Sequence, residues 1–449
     1  MMNSGLEKLA SGESVRLIAG LAAELGATVY LAGGGLRDCL LGRRVNDLDF
    51  AVSGASAELP RLFAQRWGGT FFWLDEERQQ ARVVKKTADA VLVHDFAPLR
   101  GATIEDDLRA RDFTINALAM PVCVEGTQLI DPLQGVADLH RKLVRACSGR
   151  TFDDDPLRLL RALRFAAELG FAVEEGTWNA LRQKSALLGS VAVERTRDEL
   201  FRILAAPGIG GALGRLDESG LLREMLPPEL RRLSMGRASG HDRMVLERQA
   251  GHAAAVERTC GELERSFPAA GEDLAGYLAS EVQSGITVQS LMKLAVFFGS
   301  VDRAGAEALA GRLRLGRKAA RLLELFCSDA TNMFGALGRN GTERAMHRFF
   351  RDRDPAGPGL VIIALAGGTV SGPLAARLLE YFVRDYDAAG GDLLLSGDEV
   401  MAVAGIGEGE LVGEVMAALR DAESRGLVND REEAHAFVKN LLTREAPMS

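Results

Sequence analysis

At 449 residues the chain is too long for one ordinary core, and 47 % hydrophobic residues suffice to bury two to four domains. A net charge of −8 excludes a protein coated in basic surface, and no apolar run reaches the roughly 18 residues that span a bilayer. Five scattered cysteines (Cys39, Cys123, Cys147, Cys260 and Cys327) build neither a disulfide framework nor a CxxC metal pair, and the N-terminus lacks a basic-then-apolar leader. A cytoplasmic location with no membrane partner is therefore expected, and the sequence leaves the oligomeric state open.

Residues 14–25 (SVRLIAGLAAEL) have the period of an amphipathic helix, with Ser14 as N-cap and Gly26 as the stop. Thr28 to Leu31 reads as a strand, and Gly33, Gly34 and Gly35 then allow a tight turn on which a phosphate can rest before a short helix over 36–41. Asp47 to Val52 reads as a second strand. Because side chains alternate, Asp47 and Asp49 share one side, and two carboxylates beside a phosphate turn suit Mg²⁺; a solvated strand edge would carry the same pair. A dinucleotide fingerprint aligned on Gly33 fails, since it needs glycine where Asp38 stands.

A turn and helix follow (53–68), and then FFWLDE, ARVVKK and AVLVHDF alternate like strands of an antiparallel sheet. Asp95, in the last of these, is either an edge residue or a third metal carboxylate. In IEDDLRARDFTINALAMPV (104–122), Arg111, Asp112 and Asn116 fit both a capped helix with an internal ion pair and a nucleotide-binding set. Asp131-Pro132 marks a turn. In FDDDPLRLLRALRFAAELGF (152–171), Asp155 as N-cap and Pro156 in the first turn start a helix that aligns Arg158, Arg161 and Phe165 on one face. Asp154 and Asp155 read equally as helix-dipole acids. From there on the pattern is helical. Arginine-rich stretches at 141–164 and 312–353 favour a polyanionic partner within an acidic chain.

Three motifs in this order, GGGLRDCLLGRRVNDLDF, RARDFTINALA and DDPLRLLRALRF, resemble the class II tRNA nucleotidyltransferases, the CCA-adding enzymes with their relatives the bacterial poly(A) polymerases. DPLQGVADLHRKLVRA and VERTRDEL extend the likeness, which is detailed over residues 26–205. The resemblance implies an α+β fold: a polymerase β-type head with a small mixed or antiparallel sheet (1–150), then an all-α neck (151–228), body (229–385) and tail (386–449) that hold the acceptor stem and elbow of tRNA. It implies that Asp47 and Asp49, with Asp95 as candidate third ligand, hold Mg²⁺ for attack of an RNA 3′-hydroxyl on CTP or ATP. Gly33, Gly34 and Arg37 would contact the triphosphate, Arg111 and Asp112 the ribose, and Asn116 would hold the turn. Asp155 and Arg158 would read the base, with Arg161 and Arg164 in the same nucleotide-binding set. Asp154 stands where the family has Glu.

The poly(A) polymerases carry a basic pair and an aromatic shortly after the metal motif. GGTFFWLDEER (68–78) has no such pair, which favours tRNA end addition. The segment HDFAPLRGATIEDDLR is short, as in CC-adding members, so C addition alone, A addition alone, full CCA addition and a silent RNA-binding module all remain readings. Gly240-His241-Asp242 with His252 lacks the further ligands of an HD metal site, and GIGEGELVGEVMAAL (405–419) resembles a nucleic-acid-binding hairpin or a plain helix connection.

Overall fold

The computed structural model describes residues 2–445 except 89, 124–127, 234–239, 300, 328–333, 335–336, 338–341, 387–393, 408, 425–426 and 429; for 2–4, 232–233, 240–246, 344, 410, 420–421, 423–424 and 442–445 it describes the backbone alone. The side chains of His241 and Asp242, and residue 408 of the 405–419 segment, thus lie outside the described residues. The chain divides into two compact units, one of Met1–Ala254, Ser284–Ile286 and Glu307–Gly316, the other of the remainder. The expected head and neck both fall in the first. Among the described residues no helix is long and apolar enough to cross a membrane.

The first unit carries one six-stranded sheet made of β1 (Thr28–Ala32), β2 (Asp47–Ser53), β3 (Thr70–Asp75), β4 (Gln80–Lys86), β5 (Val91–Pro98) and β6 (Ala119–Pro121). Its order is β3-β4-β5-β2-β1-β6. The sheet is mixed, because β2 runs parallel to β5 while the other pairs are antiparallel. Along β2 burial alternates, with Leu48 and Phe50 inward and Asp47 and Asp49 outward, as the period-2 pattern requires. The inward face meets helix α1 (Glu58–Trp67): Phe63 stacks on Trp67 at 4.9 Å and Phe50 on Phe96 at 5.0 Å. His94 lies in this apolar layer with neither ring nitrogen hydrogen-bonded, and burial lowers its pKa to about 4.

Local chemistry sets the element ends. The first amphipathic helix spans Glu13–Leu25, so Ser14 falls inside its first turn and makes no cap; Gly12 takes the N-cap position, and Gly26 closes the helix at φ +64° as expected. Helix α2 (Gly34–Leu40) opens on the glycine turn. Residues 104–122 are no single helix. Helix α3 (Ile104–Arg109) is capped reciprocally by Thr103 and Asp106, a tight turn covers Thr114–Asn116, and β6 follows. Helix α4 (Arg158–Leu169) starts later than Asp155 predicts, because residues 155–158 form a tighter turn in which the Asp155 carboxylate accepts from the Leu157 amide at 3.1 Å.

The second unit is helical apart from a short hairpin. Helix Val288–Phe298 is buried at every position but Gln289, its one charge, Lys293, pairing with Glu257 at 3.1 Å, and a β-carbon added at Gly359 of helix Gly357–Ala366 would strike Phe326 and Met292. The last three helices enclose Leu395, Val400, Val415, Leu419, Val428 and Val438.

A buried neutral imidazole makes stability pH-dependent. The unfolded chain binds a proton below its ordinary value of 6.5 while the folded chain resists until about 4, so stability falls as pH drops through that window, by about 3 kcal/mol at most. His94→Phe should flatten the change in melting temperature between pH 7 and pH 4.5; an unchanged slope would place the titration elsewhere.

Candidate active site

One cross-strand row organises the outward face of the sheet. Phe72 of β3 pairs with Arg82 of β4, Arg82 with Asp95 of β5, Asp95 with Asp49 of β2, and Asp49 with Ala32 of β1, whose chain then turns at Gly33. Paired residues share a face, so the row brings the acids and the glycine turn together. Gly33 is required there. Its φ is +90°, and a β-carbon would lie 2.7 Å from Nη1 of Arg111 and 3.2 Å from Oδ2 of Asp49.

These residues floor a cleft of about 780 Å³, lined within the first unit by the glycine turn, β2, the outer strands, α4 and the residues around Asp112. Every residue expected at the nucleotide or metal site lines it except Asp154, which makes a surface ion pair with Arg150 at 3.6 Å.

Asp112 is the joint between the loop after α3 and helix α4. Its Oδ1 accepts from the Phe113 amide (2.8 Å) and from Asn116 (3.0 Å), and its Oδ2 accepts from Nε of Arg161 on α4 (3.0 Å). Burial opposes ionisation, but the Arg161 guanidinium and these donors outweigh it and hold the carboxyl below its usual range. Asn116 in turn accepts from Nη1 of Arg37 at 2.6 Å. Arg37 and Arg164 lie 5.0 Å and 4.2 Å from the Phe165 ring centroid, and Arg164 pairs with buried Glu199 at 2.7 Å. Arg158 donates to the carbonyls of Ala110, Arg111 and Thr151, strapping the Arg111–Asp112 loop to α4. Asp155 faces Arg195 at 3.2 Å.

Charge accounting separates two groups from the rest. Among the aspartates lining the cleft, Asp38, Asp95, Asp107, Asp112 and Asp155 each pair with an arginine: Arg37, Arg82, Arg111, Arg161 and Arg195. Asp47 and Asp49 accept no hydrogen bond and make no ion pair among the described residues. Asp49 opens to solvent, yet protein crowds its carboxylate; this desolvation and the nearby Asp95 and Asp47 outweigh Arg111 and push its pKa up to about 6. Two adjacent uncompensated oxygen donors fit a hard divalent cation such as Mg²⁺. Asp95 is the exception to the expected set. Both its oxygens are held by Arg82 at 2.8 Å, and no group of three His, Cys, Asp or Glu side chains that could hold a metal forms among the described residues.

The sequence reading missed Arg82, Arg100, Arg195 and Arg202 of the lining. The signal for Arg82 was its position at the centre of an alternating strand, and that for Arg195 its place in VERTRDEL; Arg100 and Arg202 are isolated arginines that only the fold gathers.

Residues 29–145 match the model of the poly A polymerase head domain, and residues 170–233 that of the probable RNA and SrmB-binding site of polymerase A. The chain is 41 % identical over 437 residues, 96 % of each chain, to the CC-adding tRNA nucleotidyltransferase of Geobacter sulfurreducens. It is 34 % identical to the A-adding tRNA nucleotidyltransferase of Deinococcus radiodurans, over 91 % of this chain and 94 % of that one. In fold it resembles a CCA-adding enzyme in complex with CTP (TM-score 0.69, 23 % identity, 100 % and 99 % coverage). The Thermotoga maritima CCA-adding enzyme complexed with tRNA is similar (TM-score 0.66, 23 % identity, 98 % of each chain).

Removing one partner of the buried Asp112–Arg161 pair should be far worse than removing both. Asp112→Ala should cost about 3–5 kcal/mol in thermal or urea unfolding, and Asp112→Leu with Arg161→Met should recover most of it. Equal losses in the two variants would deny the pair its role as a joint.

Proposed function

Since the chain belongs to the tRNA nucleotidyltransferase and poly(A) polymerase family, and is with it a tRNA nucleotidyltransferase, we propose that it adds two cytidine nucleotides from CTP to tRNA lacking its 3′-terminal CCA. The observation that carries the chemistry is the pair Asp47 and Asp49, the cleft carboxylates left without cationic partners amid many arginines. Choice of C rests on the full-length similarity to a CC-adding enzyme and on the short segment between Asp95 and Arg111.

Asp47 and Asp49 would hold Mg²⁺, which when bound lowers the pKa of the RNA 3′-hydroxyl and offsets the charge of the triphosphate. The chain's own residues do the positioning. Gly33 and Gly34 let backbone approach the phosphates, and Arg111, with Nε tied to Asp107 at 3.0 Å, presents its terminal nitrogens over Gly33. Arg37, enclosed by Asp38 and Asn116, acts from behind by fixing the turn. Asp112 and Asn116 shape the ribose site, and Arg161 and Arg164 hold it against α4. The base lies beside Asp155 and Arg158. A carboxylate accepts from the exocyclic amine of cytosine while a guanidinium donates to its ring nitrogen; uracil and guanine present the opposite polarity and leave buried groups unpaired. Asp154, outside the cleft, has no part in this. A second reading, addition of the terminal A alone, is favoured by the likeness to the A-adding enzyme.

Purified protein with Mg²⁺ and labelled CTP or ATP should extend tRNA ending before C74 by two C and stop. Addition of one A to tRNA ending in CC would establish the second reading, and long A tails on any RNA, or no addition, would overturn both. Asp49→Ala should reduce incorporation at least 10³-fold, as chelation of the metal does, while tRNA binding stays within about threefold. Turnover retained in this variant would remove the metal assignment.

A further inference from the structure

Resting on that reading, we propose that the outer part of the sheet receives the unpaired 3′ end of the acceptor RNA, with Arg82 taking a phosphodiester and Phe72 stacking the penultimate base. In an in-line displacement the attacking oxygen and the leaving pyrophosphate lie on opposite sides of the α-phosphorus. Strand order makes those sides distinct. β2, which carries Asp47 and Asp49, has β1 and the glycine turn on one flank and β5, β4 and β3 on the other. Arg111 and the glycines place the triphosphate on the β1 flank, which leaves the β5 flank to the acceptor.

That flank is built for a nucleotide chain. Arg82 holds Asp95 through Nε and Nη2, and its Nη1 has no hydrogen-bond partner among the described residues. Asp95 thereby acts as a positioning residue for a guanidinium beside the carboxylate pair. In register with Arg82 is Phe72, 49 % exposed, and an irregularity in the β3–β4 pairing between Trp73 and Asp75 leaves Leu74, 51 % exposed, as a lining residue of the cleft. Exposed apolar side chains continuous with a charged cleft suit bases, which offer a stacking face whatever their sequence. Three strand spacings, about 14 Å, separate Phe72 from Asp49. The terminal nucleotide cannot span that from its own 3′-oxygen, so the ring meets the base before it.

The test uses the full chain and an acceptor-stem minihelix ending in one added C, with 2-aminopurine as penultimate base. Binding to the unaltered protein should quench the fluorophore. Phe72→Ala should abolish most of the quenching and raise KM for the minihelix about tenfold, with KM for CTP within twofold, and Phe72→Trp should restore both. Arg82→Gln should lower the slope of log affinity against log salt by about one. The idea is overturned by unchanged quenching and KM in Phe72→Ala, or by a rise in KM for CTP in place of that for RNA. The fluorescence titration needs no turnover, so a protein that adds no nucleotide would defeat the proposed function and still decide this point.

Discussion

The cleft depends on one buried carboxylate. Asp112, whose hydrogen-bond donors converge from Phe113, Asn116 and Arg161, ties the loop after α3 to α4, and through Asn116 it fixes Arg37 beneath the glycine turn. A buried ion of this kind is stable only when fully partnered. Its partners come from its own loop and from α4, and Asn116 adds Arg37 of α2, so satisfying it forces these three stretches into one arrangement. The proposed nucleotide site is the surface that this arrangement leaves open.

The same logic explains why most cleft charges are structural. Arg37, Arg161 and Arg164 spend donors on carboxylates of the scaffold, Arg158 gives its terminal nitrogens to backbone carbonyls while its Nε has no partner among the described residues, and Arg164 and Arg37 rest on Phe165. Their positive potential still reaches the cleft while their geometry stays fixed, which suits a reaction that is mostly positioning and charge neutralisation. Against that background Asp47 and Asp49 stand out because the fold withholds partners from them. Leaving two like charges adjacent is unfavourable in the free protein, and a bound cation removes the repulsion.

Much of this was legible in the sequence where a period or a conformational rule acts locally. Alternation placed Asp47 and Asp49 on one face, and the glycines at 33–35 marked the turn that Arg111 overhangs. Three motifs supplied the glycine turn, the acid pair and the arginines of α4, while much of the lining on the outer strands lay outside them. What escaped was decided by tertiary pairing. Asp154 and Asp155 are neighbours with the same side chain, yet a tight turn sends one to the surface and the other into the cleft. Asp95 could be read as an edge residue or a third ligand because the sequence offers only an acid on a nearby strand, whereas its register beside Asp49 and its capture by Arg82 depend on the strands on either side of it. Ser14 matched a cap in type, but the cap falls two residues earlier, at Gly12. Arg195 and Arg202 are one helix face away from being ordinary surface arginines; only the packing of their helix against α4 makes them part of the site.

The central claim is that Asp47 and Asp49 together bind the cation that orients a nucleoside triphosphate over the Gly33 turn. Crystals of the protein grown with Mn²⁺ and a non-hydrolysable CTP analogue test it directly through the anomalous scattering of manganese. The account predicts density bonded to both carboxylates, with the phosphates extending toward Arg111. A manganese peak elsewhere, or a nucleotide bound with neither acid in contact with metal, would contradict it.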